Sequence, residues 1–113
     1  EIARFYDERL SDTGLVLPAV RSEASHVYHQ YVVRTPNREA LQAHLTAAGI
    51  GSLVHYPQPV HNQPAYVGRV ALGSEMVQTE RAAREVLSLP MFPELLDNQV
   101  EEVVETIRAW ARR

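Results

Sequence analysis

The side chains best suited to bind a polar ligand lie close together in the middle of the chain. Five of them fall within twelve residues: the imidazoles of His55 and His61, the phenols of Tyr56 and Tyr66, and the carboxamide of Gln63. Such groups can hydrogen-bond to hydroxyls and phosphates, and a tyrosine can stack on another ring. Three prolines in the same run stiffen the backbone. The residues alone leave two readings open: a stiff loop that contacts a ligand, or a folded surface loop whose first two residues are half-buried at a strand end.

Other kinds of reactive site find little support in the sequence. The chain has no cysteine, which excludes disulfides and thiolate sites. All 11 residues in the Lys+Arg total are arginines, so no lysine can form a Schiff base. The five histidines do not predict a metal site: His26 and His29 point to opposite faces of a strand, His44 lies on the exposed side of a helix, and no carboxylate lies near His55 or His61 in sequence. We therefore predict no catalytic, cofactor-binding or metal-binding residue.

The composition is that of one ordinary globular domain. The chain has 113 residues, of which 45% are hydrophobic and 22% charged, and this is long enough to bury a single core. The net charge is -3 and basic residues do not cluster, which argues against a nucleic-acid partner. No apolar stretch approaches the roughly 20 residues that span a bilayer, so we expect no membrane partner. With no signal peptide visible, we expect a cytoplasmic protein.

The spacing of apolar residues predicts an α+β fold. We expect helices over 1–10, 37–48, 75–86 and 97–111, and strands over 26–35, 52–56 and 87–89. This order favours a small, mostly antiparallel sheet of about three strands with helices packed on it. The segment 57–73 reads as a long ordered loop, and long loops inside small domains are usually functional or disordered.

Cap residues are expected to mark the ends of these helices. The side chains of Asn37 and Asp97 can accept a hydrogen bond from a free backbone N–H at a helix start. Gly49 suits the left-handed residue that follows a helix, and Ile50 can make the hydrophobic contact after it. Nothing before Ile2 resembles a cap, so we expect the first helix to begin upstream and the chain to be a fragment of something longer.

Four strings of the sequence occur in an order and spacing typical of one family. They are residues 26–34 (HVYHQYVVR), the helix end at 49–50, residues 55–66 (HYPQPVHNQPAY) and residues 87–91 (LSLPM). Together they resemble the C-terminal domain of the sugar-nucleotide aminotransferases of the DegT/DnrJ/StrS class, which are pyridoxal-phosphate enzymes of fold type I. The resemblance covers essentially all of residues 1–113, and it implies that they form a single small C-terminal domain.

The resemblance implies a function for a larger parent enzyme. That enzyme would replace a ketone on a nucleotide-linked sugar with an amine taken from glutamate or glutamine. Pyridoxal phosphate and its lysine would lie in a large N-terminal domain, so no cofactor is expected on this chain alone. The small domain would not be catalytic alone; it would close the cleft and contact substrate through His55, Tyr56 and His61, with Gln63 and Tyr66 as further candidates. The family also implies a homodimer.

A second hypothesis comes from a different class of protein. Small α+β domains host many functions, so the chain could be a free-standing module that binds a ligand or regulates another protein. The uncapped first helix and the specific loop favour the aminotransferase hypothesis. Under that hypothesis we also expect exposed apolar surface where the large domain would meet this one.

Overall fold

A computed structural model describes all residues 1–113 as four helices packed around a very small sheet. The elements are α1 (Ile2–Leu10), β1 (Tyr31–Arg34), α2 (Arg38–Ala47), a 3-10 turn (Val60–Asn62), α3 (Val77–Glu85), β2 (Val86–Leu89) and α4 (Asp97–Ala111). The predicted α+β class is confirmed. None of the helices combines the length and the apolar character needed to cross a membrane.

The sheet is smaller than predicted. β1 and β2 pair antiparallel over four residues each, with Tyr31 opposite Leu89. A single bridge residue lies on the outer side of each strand, Val16 beside β1 and Leu53 beside β2. The predicted strand over 52–56 is therefore reduced to one bridge, and the sheet has two full strands rather than three.

The predicted strand over 26–35 is wrong in its first half. β1 begins only at Tyr31 because β2 ends opposite that residue and offers no partner beyond it. Tyr28 has a φ of 49°, in the left-handed region that a strand does not use. Its backbone N–H donates to His26 Nδ1 at 2.8 Å. His26 and His29 consequently do not lie on opposite faces of a strand.

The end of α2 confirms the predicted glycine cap. Gly49 has a φ of 76°. Its N–H donates to the Thr46 carbonyl at 3.0 Å, and the Ile50 N–H donates to the Leu45 carbonyl at 2.9 Å. This pair of bonds is the Schellman pattern, which satisfies carbonyls left free at a helix end. Ile50 then packs into the hydrophobic core and directs the chain back toward the sheet.

The predicted N-terminal caps are wrong in detail. Asn37 precedes α2 but its side chain makes no capping bond; instead its own N–H donates to Thr35 Oγ1 at 3.2 Å. Asp97 is the first residue of α4 rather than its cap. The N–H of Leu96 donates to the Gln99 side chain at 3.0 Å. In both places the observed bond satisfies the N–H of the residue just before the helix, and it is not the bond that we expected a cap side chain to accept.

The core lies between the sheet and the helices. α4 packs against α1 and α2, α2 packs against β2, and α3 packs against β1. Tyr6 and Tyr31 are completely buried, with ring centroids 4.9 Å apart. The Tyr6 hydroxyl donates to the Pro90 carbonyl at 3.0 Å, and the Tyr31 hydroxyl donates to the Asp7 carboxylate at 2.6 Å. Burial raises the pKa of both phenols above the ordinary tyrosine value.

Candidate functional site

The candidate site is built on residues 55–66, which we call the polar loop. The loop follows the bridge at Leu53 and leads toward α3, and its regular structure is limited to the 3-10 turn Val60–Asn62. The segment 57–73, predicted as a long loop, likewise contains no helix or strand apart from this turn. Two histidines attach the polar loop to the fold, and each does so through a different element.

His55 attaches the start of the polar loop to the sheet. Its Nδ1 lies 2.9 Å from Ser88 Oγ on β2 and 3.1 Å from the side-chain nitrogen of Gln30. An amide nitrogen can only donate, so Nδ1 accepts both bonds and the ring proton lies on Nε2. His55 is half-buried, as the surface-loop reading expects. That reading is wrong for Tyr56, which is joined to His55 by a cis peptide bond and is 74% exposed.

His61 attaches the middle of the polar loop to α3. Its Nε2 lies 3.1 Å from Glu80 Oε1, and its side chain is only 10% exposed. No carboxylate lies near His61 in sequence, but folding brings Glu80, 19 positions away, into contact with it. The hydrogen bond from His61, helped by the Asn62 side chain and the charge of Arg84, holds the pKa of Glu80 below its usual value despite partial desolvation.

The other predicted residues divide into bonded and exposed groups. The Gln63 side chain donates to the Gln58 carbonyl at 3.3 Å, and the Gln58 side chain donates to the Asn62 carbonyl. These bonds close the polar loop on itself. Tyr56 and Tyr66 instead present their rings, 74% and 48% exposed, to the surroundings. The loop therefore offers two aromatic faces beside two fixed imidazoles.

An open groove of about 660 Å³ adjoins the start of the polar loop. Its polar lining comprises His29, Gln30, Ser52, His55, Ser88, Gln99 and Glu102. Its apolar lining comprises Ile50, Leu53, Leu89, Pro90, Met91, Phe92, Leu95 and Val103. Of the five residues predicted to contact a ligand, only His55 lines the groove, and the other four lie outside it.

Two residues that hold the site were not predicted as part of it. Ser88 lies within the string 87–91, which contributed to the family resemblance, but no local signal linked it to His55. Glu80 lies on α3, where an acidic residue in the first turn is also explained by the positive end of the helix. Both contacts depend on how distant segments pack, so the sequence gives no signal for either.

The remaining histidines do not extend the site. His44 was predicted on the exposed side of α2, but it is half-buried, with Nε2 3.2 Å from the Thr106 carbonyl on α4. The prediction fails because α4 packs across that side of α2. Nowhere in residues 1–113 do three His, Asp or Glu side chains meet in a way that could hold a metal ion.

Comparison with known proteins identifies the family of the chain. Residues 1–108 match the model of the DegT/DnrJ/EryC1/StrS aminotransferase family. The chain is 42% identical over 100 residues to the dTDP-3-amino-3,4,6-trideoxy-alpha-D-glucose transaminase of Streptomyces venezuelae, across 88% of this chain and 26% of that protein. It is 41% identical over 95 residues to the UDP-2-acetamido-2-deoxy-3-oxo-D-glucuronate aminotransferase of Pseudomonas aeruginosa, across 84% of this chain and 26% of that protein.

A solved structure gives the same result. The crystal structure of DesV from S. venezuelae, in complex with a ketimine intermediate, superimposes with a TM-score of 0.94 at 40% identity. The match covers 99% of this chain and 30% of that one, so the chain spans less than a third of the length of these relatives. With the family match extending over residues 1–108, the chain belongs to the DegT/DnrJ/EryC1/StrS aminotransferase family.

Proposed function

We propose that the chain is the C-terminal small domain of a pyridoxal-phosphate-dependent aminotransferase that acts on a nucleotide-linked keto-sugar. One observation carries the proposal: the chain belongs to an aminotransferase family, yet none of its 113 residues is a lysine. Aminotransfer through pyridoxal phosphate requires a lysine amine, which must come from another part of the protein. A large N-terminal domain would supply that lysine. The small domain formed by residues 1–113 would not be catalytic alone.

Pyridoxal phosphate does not fit the residues of this chain taken alone. Without a side-chain amine the chain cannot hold the cofactor covalently. The polar loop offers hydrogen-bonding groups and aromatic rings, which suit a sugar or a base as well as they suit a cofactor. We therefore assign the chain substrate contacts and closure of the cofactor cleft, and no chemical step.

Substrate contact is proposed for His55, Tyr56 and His61, with Gln63 and Tyr66 as weaker candidates. The imidazoles are already held by Ser88 and Glu80, so they lose little freedom when a ligand binds. The exposed rings of Tyr56 and Tyr66 can stack on a nucleotide base. A polar, ring-containing substrate such as a nucleotide-linked sugar matches this set of groups.

Several exposed apolar side chains in and after the polar loop support the proposal that a partner covers this segment. Within residues 60–77 the exposed ones are Val60, Tyr66, Val67, Val70, Leu72 and Val77. Clustered apolar exposure is typical of interfaces. We propose that the large domain of the same protein, or the second subunit of a homodimer, covers this segment.

The first test uses the natural product of the gene. A polypeptide roughly three times as long as this chain, yellow and bleached by borohydride, would support the aminotransferase proposal, because borohydride reduces a lysine-bound cofactor. A colourless product of about the length of this chain would overturn it. The alternative, a free-standing ligand-binding or regulatory module, would then replace it.

The second test uses the intact enzyme. His61→Ala should raise the KM for the nucleotide-sugar while the cofactor spectrum stays unchanged. His44→Ala is the matched control, because it removes an imidazole that packs between α2 and α4, away from the polar loop. An unchanged KM in His61→Ala would remove His61 from the substrate site, and Tyr56→Ala would then be the next variant to measure.

A further inference from the structure

We propose that Glu80 is a positioning residue that fixes His61 with its proton on Nε2, so that Nδ1 accepts a hydrogen bond from a hydroxyl of the substrate sugar. This inference rests on the proposed function, in which His61 contacts the substrate. Glu80 itself would touch no substrate. Its role would be to determine which ring nitrogen the bound sugar meets.

Glu80 accepts a hydrogen bond from His61 as an ionised carboxylate. Its carboxylate lies 3.1 Å from His61 Nε2, and that contact, together with Asn62 and Arg84, keeps the pKa of Glu80 below its usual value. An ionised carboxylate can only accept hydrogen bonds. His61 Nε2 must therefore donate, and a ring that carries only this one proton keeps a free lone pair on Nδ1.

A sugar hydroxyl can use the lone pair of His61 Nδ1 only if that atom is not fully buried. Nδ1 makes no hydrogen bond within the chain. The fully buried side-chain atoms that lack a hydrogen-bond partner belong to Arg34, Arg38 and Ser52, so His61 Nδ1 is not one of them. Nδ1 of His61 therefore reaches the surface, although the side chain as a whole is only 10% exposed. A hydroxyl bonded to this nitrogen would not compete with Glu80, which occupies Nε2.

A comparison of the two histidines strengthens the inference. In His55 the bonds from Ser88 and Gln30 occupy Nδ1 and place the proton on Nε2. In His61 the bond to Glu80 occupies Nε2, so the available nitrogen is the other one. The polar loop thus presents one imidazole donor and one imidazole acceptor. Each role is set by a residue from outside the loop.

The placement of Glu80 on a helix explains why the ring can be held in one orientation. α3 packs against β1, so the carboxylate is carried by an element fixed to the sheet rather than by the loop. Without it, the ring would have to select both a tautomer and a rotamer when substrate binds. That lost preorganisation corresponds to a rise in KM of about 2- to 10-fold.

The test measures kinetics of the intact enzyme. Glu80→Ala should raise the KM for the nucleotide-sugar by about 2- to 10-fold and leave kcat nearly unchanged. Glu80→Gln should restore most of the affinity, because its side-chain oxygen can still accept from Nε2. Glu75→Ala is the control, since Glu75 is exposed and is not bonded to the polar loop. In a His61→Ala background, Glu80→Ala should have no further effect.

A spectroscopic measurement decides the tautomer without relying on activity. In the intact enzyme labelled with ¹⁵N-histidine, the ring signals of His61 should report a proton on Nε2 in the wild type and a mixture in Glu80→Ala. A proton on Nδ1 in the wild type would overturn the inference, and so would a wild-type KM in Glu80→Ala when His61→Ala raises it. If His61→Ala itself leaves KM unchanged, the proposed substrate contact fails instead.

Discussion

The core and the polar loop are held in place by different interactions. In the core, side chains such as Leu41, Leu45 and Ile107 are completely buried, and full burial of such a side chain stabilises the fold by about 1.5–3 kcal/mol. The polar loop has one short 3-10 turn, and its links to the rest of the fold include the side-chain bonds of His55 and His61. A side-chain hydrogen bond contributes about 0.5–1.5 kcal/mol net.

The difference indicates that stability and ligand contact are separable in this domain. Substitutions in the core should change the free energy of unfolding with little direct effect on the groups that face a ligand. Substitutions in the polar loop should change binding while the fold persists. Four measurements test this contrast between the core and the polar loop.

The largest effect is expected from cavity formation in the core. Leu45 is completely buried, whereas Leu53 is 63% exposed. Leu45→Ala should lower the free energy of unfolding by about 2–5 kcal/mol, because it removes buried methyl groups and leaves a cavity. Leu53→Ala, the same substitution beside the polar loop, should stay within about 0.5 kcal/mol. Urea unfolding followed by circular dichroism measures both, and similar losses would contradict the contrast.

A smaller effect is expected from a hydrogen bond within the core. Tyr31→Phe removes the hydroxyl that donates to Asp7 at 2.6 Å, and it should cost about 1.5 kcal/mol in unfolding free energy. Tyr56→Phe is the matched control, since Tyr56 is 74% exposed and its hydroxyl can bond to water. A Tyr56→Phe variant as unstable as Tyr31→Phe would show that the loop contributes to the core.

Alkaline pH should weaken the core before it affects the polar loop. Burial raises the pKa of Tyr6 and Tyr31 in the folded chain, whereas both phenols titrate near 10 when unfolded. The stability that the two buried, protonated phenols contribute is therefore fully present below about pH 10. Above that pH the free energy of unfolding declines by at most about 1.4 kcal/mol per pH unit for each tyrosine. Urea midpoints measured from pH 8 to 11 test this, and Tyr31→Phe should flatten the decline.

The smallest effect is expected inside the polar loop. Gln58→Ala removes the side-chain bond to the Asn62 carbonyl. Because this contact is exposed, water can replace it, and the unfolding free energy should change by no more than about 0.5 kcal/mol. The same urea titration measures the change. A loss approaching that of Leu45→Ala would show that the loop and the core fold as one unit.

The helices could be predicted from the sequence because their signals are local. α4 covers the predicted range 97–111, and the predicted glycine, Gly49, follows the end of α2 in the left-handed conformation. The strands were less predictable because a strand needs a partner. Residues 26–30 have strand-like composition, but β2 does not extend alongside them, and Tyr28 turns the chain instead.

The candidate site divides in the same way. The polar loop was recognised from the types and spacing of its own residues. Its two attachments join His55 to a residue 33 positions away and His61 to one 19 positions away. Neither contact follows from local pattern, because each depends on how β2 and α3 pack against the loop. The local pattern therefore predicts the candidate ligand-contact groups, but not the residues that orient them.

The two single-residue bridges that flank the sheet have a consequence for aggregation. A strand with a free side presents unpaired N–H and C=O groups, on which a strand from another molecule can add. Val16 exchanges two backbone bonds with Arg34 on one side, and Leu53 exchanges two with Ser88 on the other. The outer edge of each four-residue strand is thus covered at one residue, where a strand from another molecule would otherwise pair. By covering both edges, the segments around Val16 and Leu53 should hinder the addition of strands from other molecules to this sheet.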